Sequence, residues 1–185
     1  MITFTGKCID PFNLTPDDID IRDIAHSLSM LCRFGGHTNR FYSVAEHSVR
    51  CRMECHEDKF IQQVVLLHDA AEAYTGDMIR PLKLNLPEFQ ELDKKIMTTI
   101  HRAFFGKRLS TMMGGFNDYI DKIDQLLLFR EMVTLTVIDK SVIDNSAVPP
   151  GQFASLLVPD MGWPPEMAES MFLNSAHLLG TKKIK

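Results

Sequence analysis

The sequence has few cysteines and lacks both a long apolar run and an export signal. Its four cysteines, in 185 residues, include no C-x-x-C pair, which argues against a disulfide-dense scaffold and favours reduced thiols. No run of about 18 apolar residues occurs, as a membrane-spanning helix would need. The first residues also lack the charged-then-apolar pattern of a signal peptide. We therefore expect a cytoplasmic protein with no membrane partner.

A strong charge excess is also missing. The formal net charge is −4, and the basic residues are spread along the chain. Proteins that bind duplex nucleic acid usually carry basic residues massed on one face. We therefore expect no duplex nucleic acid as a partner, although local basic groups can still hold a small anion.

Strand patterns are missing after residue 15, and the sequence has no internal repeat. The first 15 residues alternate around Gly6, which predicts a short N-terminal hairpin or extended arm. Beyond it, apolar residues recur at helical spacing. The predicted helices are 20–34, 44–56, 59–75, 88–105, 116–138 and 165–179. This pattern predicts an all-α bundle of five to six main helices.

The length fits one domain over residues 1–185. We expect a helical core at about 20–140 and a C-terminal helical extension at about 147–185. The third predicted helix should end at Gly76, a natural left-handed C-cap.

That third helix contains polar groups where a buried helix would have none. The stretch from Val64 to Tyr74 reads V-V-L-L-H-D-A-A-E-A-Y and carries His68, Asp69 and Glu72. A helix can direct all three into one cavity, because Glu72 lies four residues after His68 and three after Asp69. A buried charge without a partner is costly, so these groups predict a metal ion as the compensating ligand.

Two further ligands must come from other helices. His47 in S-V-A-E-H-S-V and Asp124 in I-D-K-I-D-Q-L-L-L-F are polar groups in comparable apolar settings. Two imidazoles and two carboxylates suit a divalent metal and leave positions for water and substrate. A different set, His47, Cys51 and Cys55 at i, i+4 and i+8, could form a zinc cluster, but packing of small thiols in the core is favoured.

Several strings in fixed order resemble a known enzyme family. A-E-H-S, L-L-H-D-A-A-E-A-Y-T-G-D and R-P-L-K resemble the HD-domain metal-dependent phosphohydrolases, in particular the 5'-deoxynucleotidase branch. C-R-F-G-G-H-T-N-R-F-Y-S-V-A-E-H-S, with D-I-R-D-I-A-H-S-L-S before it, is most similar to the phage dATP triphosphohydrolases of the 2-aminoadenine pathway. The resemblance covers roughly residues 3–135 and implies an HD-domain bundle, in the host cytoplasm if a phage encodes it.

The resemblance implies a role for individual residues. It makes the ligands of one divalent ion (Zn, Co, Mn or Mg) His47, His68, Asp69 and Asp124. Glu72 matches the catalytic carboxylate that orients or deprotonates the attacking water, and Asp77 matches a second acidic residue at the substrate or water.

The substrate-binding candidates are mostly cationic, as a phosphate ligand requires. Arg33 and Phe34 match an Arg–aromatic pair near the substrate, with Phe in place of the Trp of the bacterial nucleotidases. The other candidates lie in or beside predicted loops, and they are His37, Arg40, Arg80 and Lys83.

These assignments predict hydrolysis of deoxynucleotide phosphates, with dATP to deoxyadenosine and triphosphate as the specific hypothesis. Two alternatives remain open: a 5'-deoxynucleotidase acting on dNMPs, and a non-catalytic helical module with a structural metal site. Glu72 is followed by Ala73 rather than by a second acidic residue, which disfavours the guanosine-tetraphosphate hydrolases. Family members usually oligomerise, so we expect a homo-oligomer (dimer or hexamer), with Met112, Met113, Trp163 and Met171 as exposed apolar residues.

Overall fold

A computed structural model describes residues 1–106, 117–137 and 160–183, and within these ranges the fold is all-α, as predicted. The helices are α1 (Ile21–Met30), α2 (Val44–Glu54), α3 (Lys59–Leu66), α4 (Glu72–Thr75), α5 (Arg80–Lys83), α6 (Pro87–Phe105), α7 (Asn117–Leu135) and α8 (Pro165–Leu179). No helix in the described ranges is long and apolar enough to cross a membrane.

Side-chain caps fix the starts of the helices around the site. Ser43 accepts a hydrogen bond from the Glu46 backbone at the start of α2. Asp58 accepts from the backbone N–H groups of Phe60 and Ile61 at the start of α3. The Glu46 side chain does not complete a capping box. It accepts from the Trp163 backbone N–H at 2.7 Å instead, which fastens the segment before α8 to α2.

Helix α8 is a core element of the bundle. It packs on α1, α2 and α3. Its buried residues include Phe172, Ala168 and Ala176, and Phe172 is 0% exposed. The helix therefore supports α2 and α3, which lead into the site.

The first predicted helix is wrong at its end. Helix α1 stops at Met30 rather than near residue 34, because Leu31 has extended backbone angles. The chain then runs antiparallel to the start of α2, with Arg33 N–H donating to Tyr42 O at 2.9 Å. Arg33 consequently lies on a connecting segment instead of an α-helix, and Phe34 begins the short 3-10 turn Phe34–Gly36.

The third predicted helix, 59–75, is interrupted. Helix α3 ends at Leu66, and the chain resumes as the short α4 only at Glu72. A continuing α-helix would pair Val65 O with the Asp69 N–H. That carbonyl instead accepts from the His68 N–H at 3.3 Å and from the His68 ring at 2.8 Å. The interruption therefore falls at the two residues predicted to bind metal.

The N-terminus forms the predicted hairpin. Ile2 and Cys8 make an antiparallel bridge, and the turn includes Gly6 with φ +85°. The Thr5 backbone N–H and hydroxyl both donate to Asp23 on α1, at 2.6 and 2.9 Å. The arm is thereby fixed against the bundle.

Two residues expected to be exposed are partly buried. Trp163 and Met171 pack against the hydrophobic core, and the Arg50 guanidinium lies 4.7 Å from the Trp163 ring. The expectation of exposure is therefore wrong for these two. Met112 and Met113 lie outside the described residues.

Candidate metal centre and adjoining cavity

Three separate elements bring the predicted ligands together. His47 comes from α2, His68 and Asp69 from the turn after α3, and Asp124 from α7. His47 Nε2 lies 3.2 Å from His68 Nε2, 3.1 Å from Asp124 Oδ1 and 3.5 Å from Asp69 Oδ2. His68 Nε2 lies 3.2 Å from Asp69 Oδ2. Adjacent residues of an ideal α-helix diverge by about 100°, so the tight turn brings His68 and Asp69 to one point.

The outer hydrogen bonds fix which nitrogen of each imidazole carries hydrogen. A carbonyl can only accept, so His68 Nδ1–H donates to Val65 O at 2.8 Å and its Nε2 is a lone pair. His47 Nδ1 lies 2.5 Å from Glu131 Oε1, so a neutral His47 carries its lone pair on Nε2. Burial and Arg33 oppose protonation, but Cys51, Glu131 and the hydrogen bond with Asp124 raise the pKa of His47 well above its ordinary value, so a metal ion at Nε2 would take the place of a proton. With both rings neutral, two nitrogen lone pairs and the carboxylates of Asp69 and Asp124 face one another.

This arrangement of acceptors suits a metal ion. Acceptors cannot satisfy one another, and a divalent cation between them would satisfy all of them. Nitrogen donors about 2.0–2.1 Å from a tetrahedral zinc ion would be about 3.3 Å apart, which agrees with the 3.2 Å between the two Nε2 atoms. Nitrogen and carboxylate donors fit zinc or other first-row divalent ions.

Cys51 also belongs to this cluster. His47, Cys51, His68 and Asp124 each offer a ligand atom, and these atoms lie within 4.8 Å of one another. Cys55 does not belong to this group of donor atoms. The alternative set His47, Cys51 and Cys55 is therefore not assembled as a metal site.

Glu131 is the main residue of the centre that the sequence analysis missed. It is fully buried on α7, and its Oε1 accepts from Tyr42 OH at 2.8 Å as well as from His47. Burial would raise its pKa, but His47, Arg33 and the hydrogen bonds lower it to about 2, so the carboxylate is ionised. A signal was available: Glu131 follows Asp124 by seven residues, two helical turns along the same face of α7.

Arg33 lies between two of these carboxylates. Its Nε is 3.2 Å from Glu131 Oε2, and its Nη1 is 3.4 Å from Asp69 Oδ2. The side chain is 10% exposed. Arg33 therefore contacts Asp69, a predicted metal ligand, and Glu131, the hydrogen-bond partner of His47. It also lines the adjoining cavity.

A cavity of about 510 Å³ opens beside the centre. Asp69 and Asp124 lie on its wall, together with Glu72 and Asp77. Burial first, and then repulsion from Asp69 and Asp77, raises the pKa of Glu72 well above its usual value. Burial also raises the pKa of Asp77. A raised pKa is typical of a carboxylate that exchanges protons at a functional site.

Four of the six predicted substrate-binding residues line this cavity, namely Arg33, Phe34, Arg80 and Lys83. Lys83 forms an ion pair with Asp93 at 2.9 Å. Asp93 and Lys94 lie on the same wall and were not among the predicted residues. Phe34 is the one non-glycine residue with positive φ, +59°, among the residues described. Such a conformation is costly for an aromatic residue, and strain of this kind clusters at functional sites.

His37 and Arg40 are not part of the cavity wall. His37 is exposed at the end of the 34–36 turn. The Arg40 guanidinium donates to Met161 O at 3.3 Å, and its stem packs against Gly162. Arg40 thus contacts the segment before α8, away from the predicted substrate.

A second, smaller cavity of about 240 Å³ lies on another side of the centre. His68, Asp69 and Asp124 contribute to its wall, with His101 and Asp121 beyond them. Asp69, Asp121 and Asp124 line both cavities, so the centre separates them.

Comparison with known proteins identifies relatives without a described function. No protein-family model matches the chain. The chain is 42% identical over 102 residues to YfdR of Escherichia coli K12, covering 55% of this chain and 56% of the relative. It is 37% identical over 113 residues to a Rhodobacter capsulatus protein, covering 54% and 55%. Both relatives are described as uncharacterized proteins, and the chain spans about half the length of each.

Proposed function

We propose that the protein is a metal-dependent phosphohydrolase of the HD-domain class that acts on deoxynucleotide phosphates. One observation carries the proposal: two imidazole lone pairs and two carboxylates converge beside a cavity that also holds Glu72 and several cations. This combination supplies ligands for a metal ion, a proton acceptor and phosphate-neutralising groups in one place.

In the proposed reaction, His47, His68, Asp69 and Asp124 would hold a divalent ion, which would polarise phosphoryl oxygen and make its bound water more acidic. Glu72 orients the attacking water and accepts its proton. Its Oε2 is buried without a hydrogen-bond partner, which leaves an acceptor available for this role. Asp77 lies on the same wall and contacts the substrate or water.

Cationic side chains neutralise the phosphates. Lys83 and Arg80 lie on α5 at the cavity, and Lys94 faces them from α6. Arg33 is already paired with two carboxylates, so its part is to hold the ligands and to meet the phosphate nearest the centre. Three further cations, of which Lys83 is paired with Asp93, favour a triphosphate over a monophosphate, and we propose dATP as the substrate, cleaved to deoxyadenosine and triphosphate.

Two alternatives make different predictions. A 5'-deoxynucleotidase would release inorganic phosphate from dNMPs with the same metal site. A non-catalytic module would bind metal without turnover. The deciding experiment incubates metal-loaded protein with each dNTP and each dNMP, and measures triphosphate and phosphate by ion chromatography. Absence of both products from every substrate would refute the enzymatic proposal.

The Glu72→Gln variant separates catalysis from structure. We expect a loss of turnover of at least about 100-fold, with metal content and folding unchanged, because the amide cannot accept the proton. Glu91→Gln, at an exposed position on α6, is the matched control. Equal turnover in both variants would assign the site a structural role.

We also propose self-association as a dimer or hexamer. Segment 79–86 beside the cavity mouth exposes four apolar residues, Ile79, Leu82, Leu84 and Leu86. Light scattering coupled to size exclusion measures the state, and a strictly monomeric protein at assay concentration would contradict the proposal.

A further inference from the structure

Gln90 and Asp93 place two hydrogen-bond acceptors on the wall of the larger cavity. They lie one turn apart on α6, so their side chains are neighbours on one face of the helix, and both line the cavity. Neither residue is a predicted metal ligand, and neither has a part in the proposed hydrolysis. Their place on this wall therefore points to a different role.

The amide of Gln90 has a fixed orientation. Its Nε2 donates to the backbone carbonyl of Lys83, at the end of α5, at 2.8 Å. A carbonyl can only accept, so this bond determines which end of the amide is nitrogen and which is oxygen. Gln90 Oε1 is consequently left as an acceptor.

Asp93 has one oxygen paired and one oxygen unpaired. Its Oδ2 lies 2.9 Å from Lys83 Nζ, whereas its Oδ1 is buried and receives no hydrogen bond from any residue in the described ranges. A buried acceptor without a donor destabilises the protein. The terminal torsion of an aspartate has a broad range, so a small rotation presents Oδ1 to the cavity while Oδ2 stays near Lys83.

These acceptors suit an uncharged donor group rather than a phosphate. The Asp93 carboxylate repels phosphate oxygens. Lys83 has three N–H groups and uses one of them on Asp93, so the others stay available to the phosphate. An amino group on a nucleobase has two N–H bonds, one for each acceptor, whereas a sugar hydroxyl has only one.

We propose that Gln90 and Asp93 bind the exocyclic amino group of the base, and that they make the cavity select an amino-bearing base such as adenine. The inference rests on the proposed function, which places a nucleotide in this cavity. A site built to accept hydrogen bonds from a ligand rejects an analogue without the donor, because its own buried acceptors then stay unpaired. Asp93 is thus a specificity-determining residue.

Two nucleotides that differ only at this amino group test the inference. dATP carries the 6-amino group, and 2'-deoxynebularine 5'-triphosphate has a hydrogen in its place. Titration calorimetry on the zinc-loaded Glu72→Gln protein measures the affinity of both nucleotides while preventing turnover. We expect dATP to bind about 10–100-fold more tightly, as for hydrogen bonds that involve a charged group.

Substitutions of the two acceptors should reduce this preference. In Asp93→Asn the oxygen stays with Lys83, which can only donate, so the new NH₂ group faces the amino group of the base. We expect the ratio of the two affinities to fall below about threefold, and to fall also in Gln90→Met. Glu91→Gln, exposed on the same helix, is the matched control and should keep the full ratio.

The ratio of affinities separates base recognition from other effects. Any change in phosphate binding after the release of Lys83 affects both nucleotides equally and cancels in the ratio. Circular dichroism checks that the variants are folded. The ratio in the parent Glu72→Gln protein decides the inference even if Asp93→Asn unfolds.

The outcomes distinguish this inference from the proposed function. Equal affinities in the parent protein would overturn the inference and leave the phosphohydrolase proposal standing. A full ratio in both Asp93→Asn and Gln90→Met would overturn the assignment to these residues. Absence of binding of either nucleotide would also overturn it, and turnover by the wild type would then decide the proposed function separately. The expected ratio without hydrolysis by the wild type would keep the base site and refute the phosphohydrolase.

Discussion

Glu131 connects three residues, Arg33, Tyr42 and His47, at a single carboxylate. One oxygen accepts from both Tyr42 and His47, and the other faces Arg33 at 3.2 Å. Carboxylates behind a metal-binding histidine fix its tautomer and orientation and raise its basicity. Metal affinity should therefore depend on a residue that does not contact the metal.

We expect Glu131→Gln to weaken zinc binding by about 10–100-fold, because the His47 ring loses its anionic acceptor. Competition with a chromophoric chelator measures the affinity. Glu91→Gln, exposed on α6, is the control for loss of one negative charge. A folded Glu131→Gln protein with wild-type affinity would show that the carboxylate is a packing residue.

His101 gives a prediction about acid stability. Burial lowers its pKa from 6.5 to about 4, and its Nε2 is buried without a hydrogen-bond partner. Between these two pH values the unfolded chain binds the proton and the folded chain does not, so stability falls as pH decreases from about 6.5 to 4. The shift corresponds to an upper bound of about 3 kcal/mol.

Urea unfolding of the wild type and of His101→Leu at pH 7 and pH 5 measures this contribution. We expect the wild type to lose more stability on acidification than the variant. Exposed His56→Gln serves as the control and should follow the wild type. An identical pH response in His101→Leu would refute the assignment.

At the scale of elements, apolar periodicity located the long helices well. The predicted segments 88–105, 116–138 and 165–179 correspond to α6, α7 and α8, and α8 matches at both ends. Helical spacing identifies such helices because each buries one continuous face.

Periodicity could not locate the interruption after Leu66. Apart from His68 and Asp69 the segment stays apolar through Ala71, so nothing in its pattern separates a helix from a tight turn. The conformation is set by the hydrogen bond from the His68 ring to the Val65 carbonyl and by the convergence of candidate ligands from α2 and α7. These contacts connect residues that are distant in sequence. The candidate ligands could be predicted because each is a polar group in an apolar setting. The role of Glu131 could not be predicted in this way, because it depends on the position of His47.

Helix α8 should contribute to the stability of the whole bundle. Phe172 is fully buried on α8, which packs against α1, α2 and α3. We expect Phe172→Ala to lower the free energy of unfolding by about 3–5 kcal/mol. Urea denaturation measures it, with Phe12→Ala, at a 65% exposed position, as the control. A change below about 1 kcal/mol would mean that α8 is a peripheral appendage.

At the scale of the whole molecule, metal binding and folding should be coupled. The ligands come from α2, the turn after α3, and α7, and unfolding separates them. A ligand at 100 times its dissociation constant stabilises the folded state by about 2.7 kcal/mol. For a chain of this size that corresponds to roughly 5–10 °C in Tm.

Differential scanning fluorimetry with EDTA, zinc, cobalt(II) and manganese tests this coupling. We expect metal to raise Tm and EDTA to reverse the increase, and Asp124→Asn to reduce the response. The exposed Asp118→Asn, on the same helix, is the control. An unchanged Tm with every ion would contradict a metal centre in the folded core.

The two cavities on either side of the centre have a kinetic consequence. Asp69 and Asp124 line both, so a molecule bound in the larger cavity leaves the smaller one as a separate approach to the same residues. The proposed hydrolysis would consume one water per turnover. If that water arrives through the smaller cavity, its replacement need not wait for product to leave, and bulky substitutions at Met97 would slow turnover without weakening nucleotide binding.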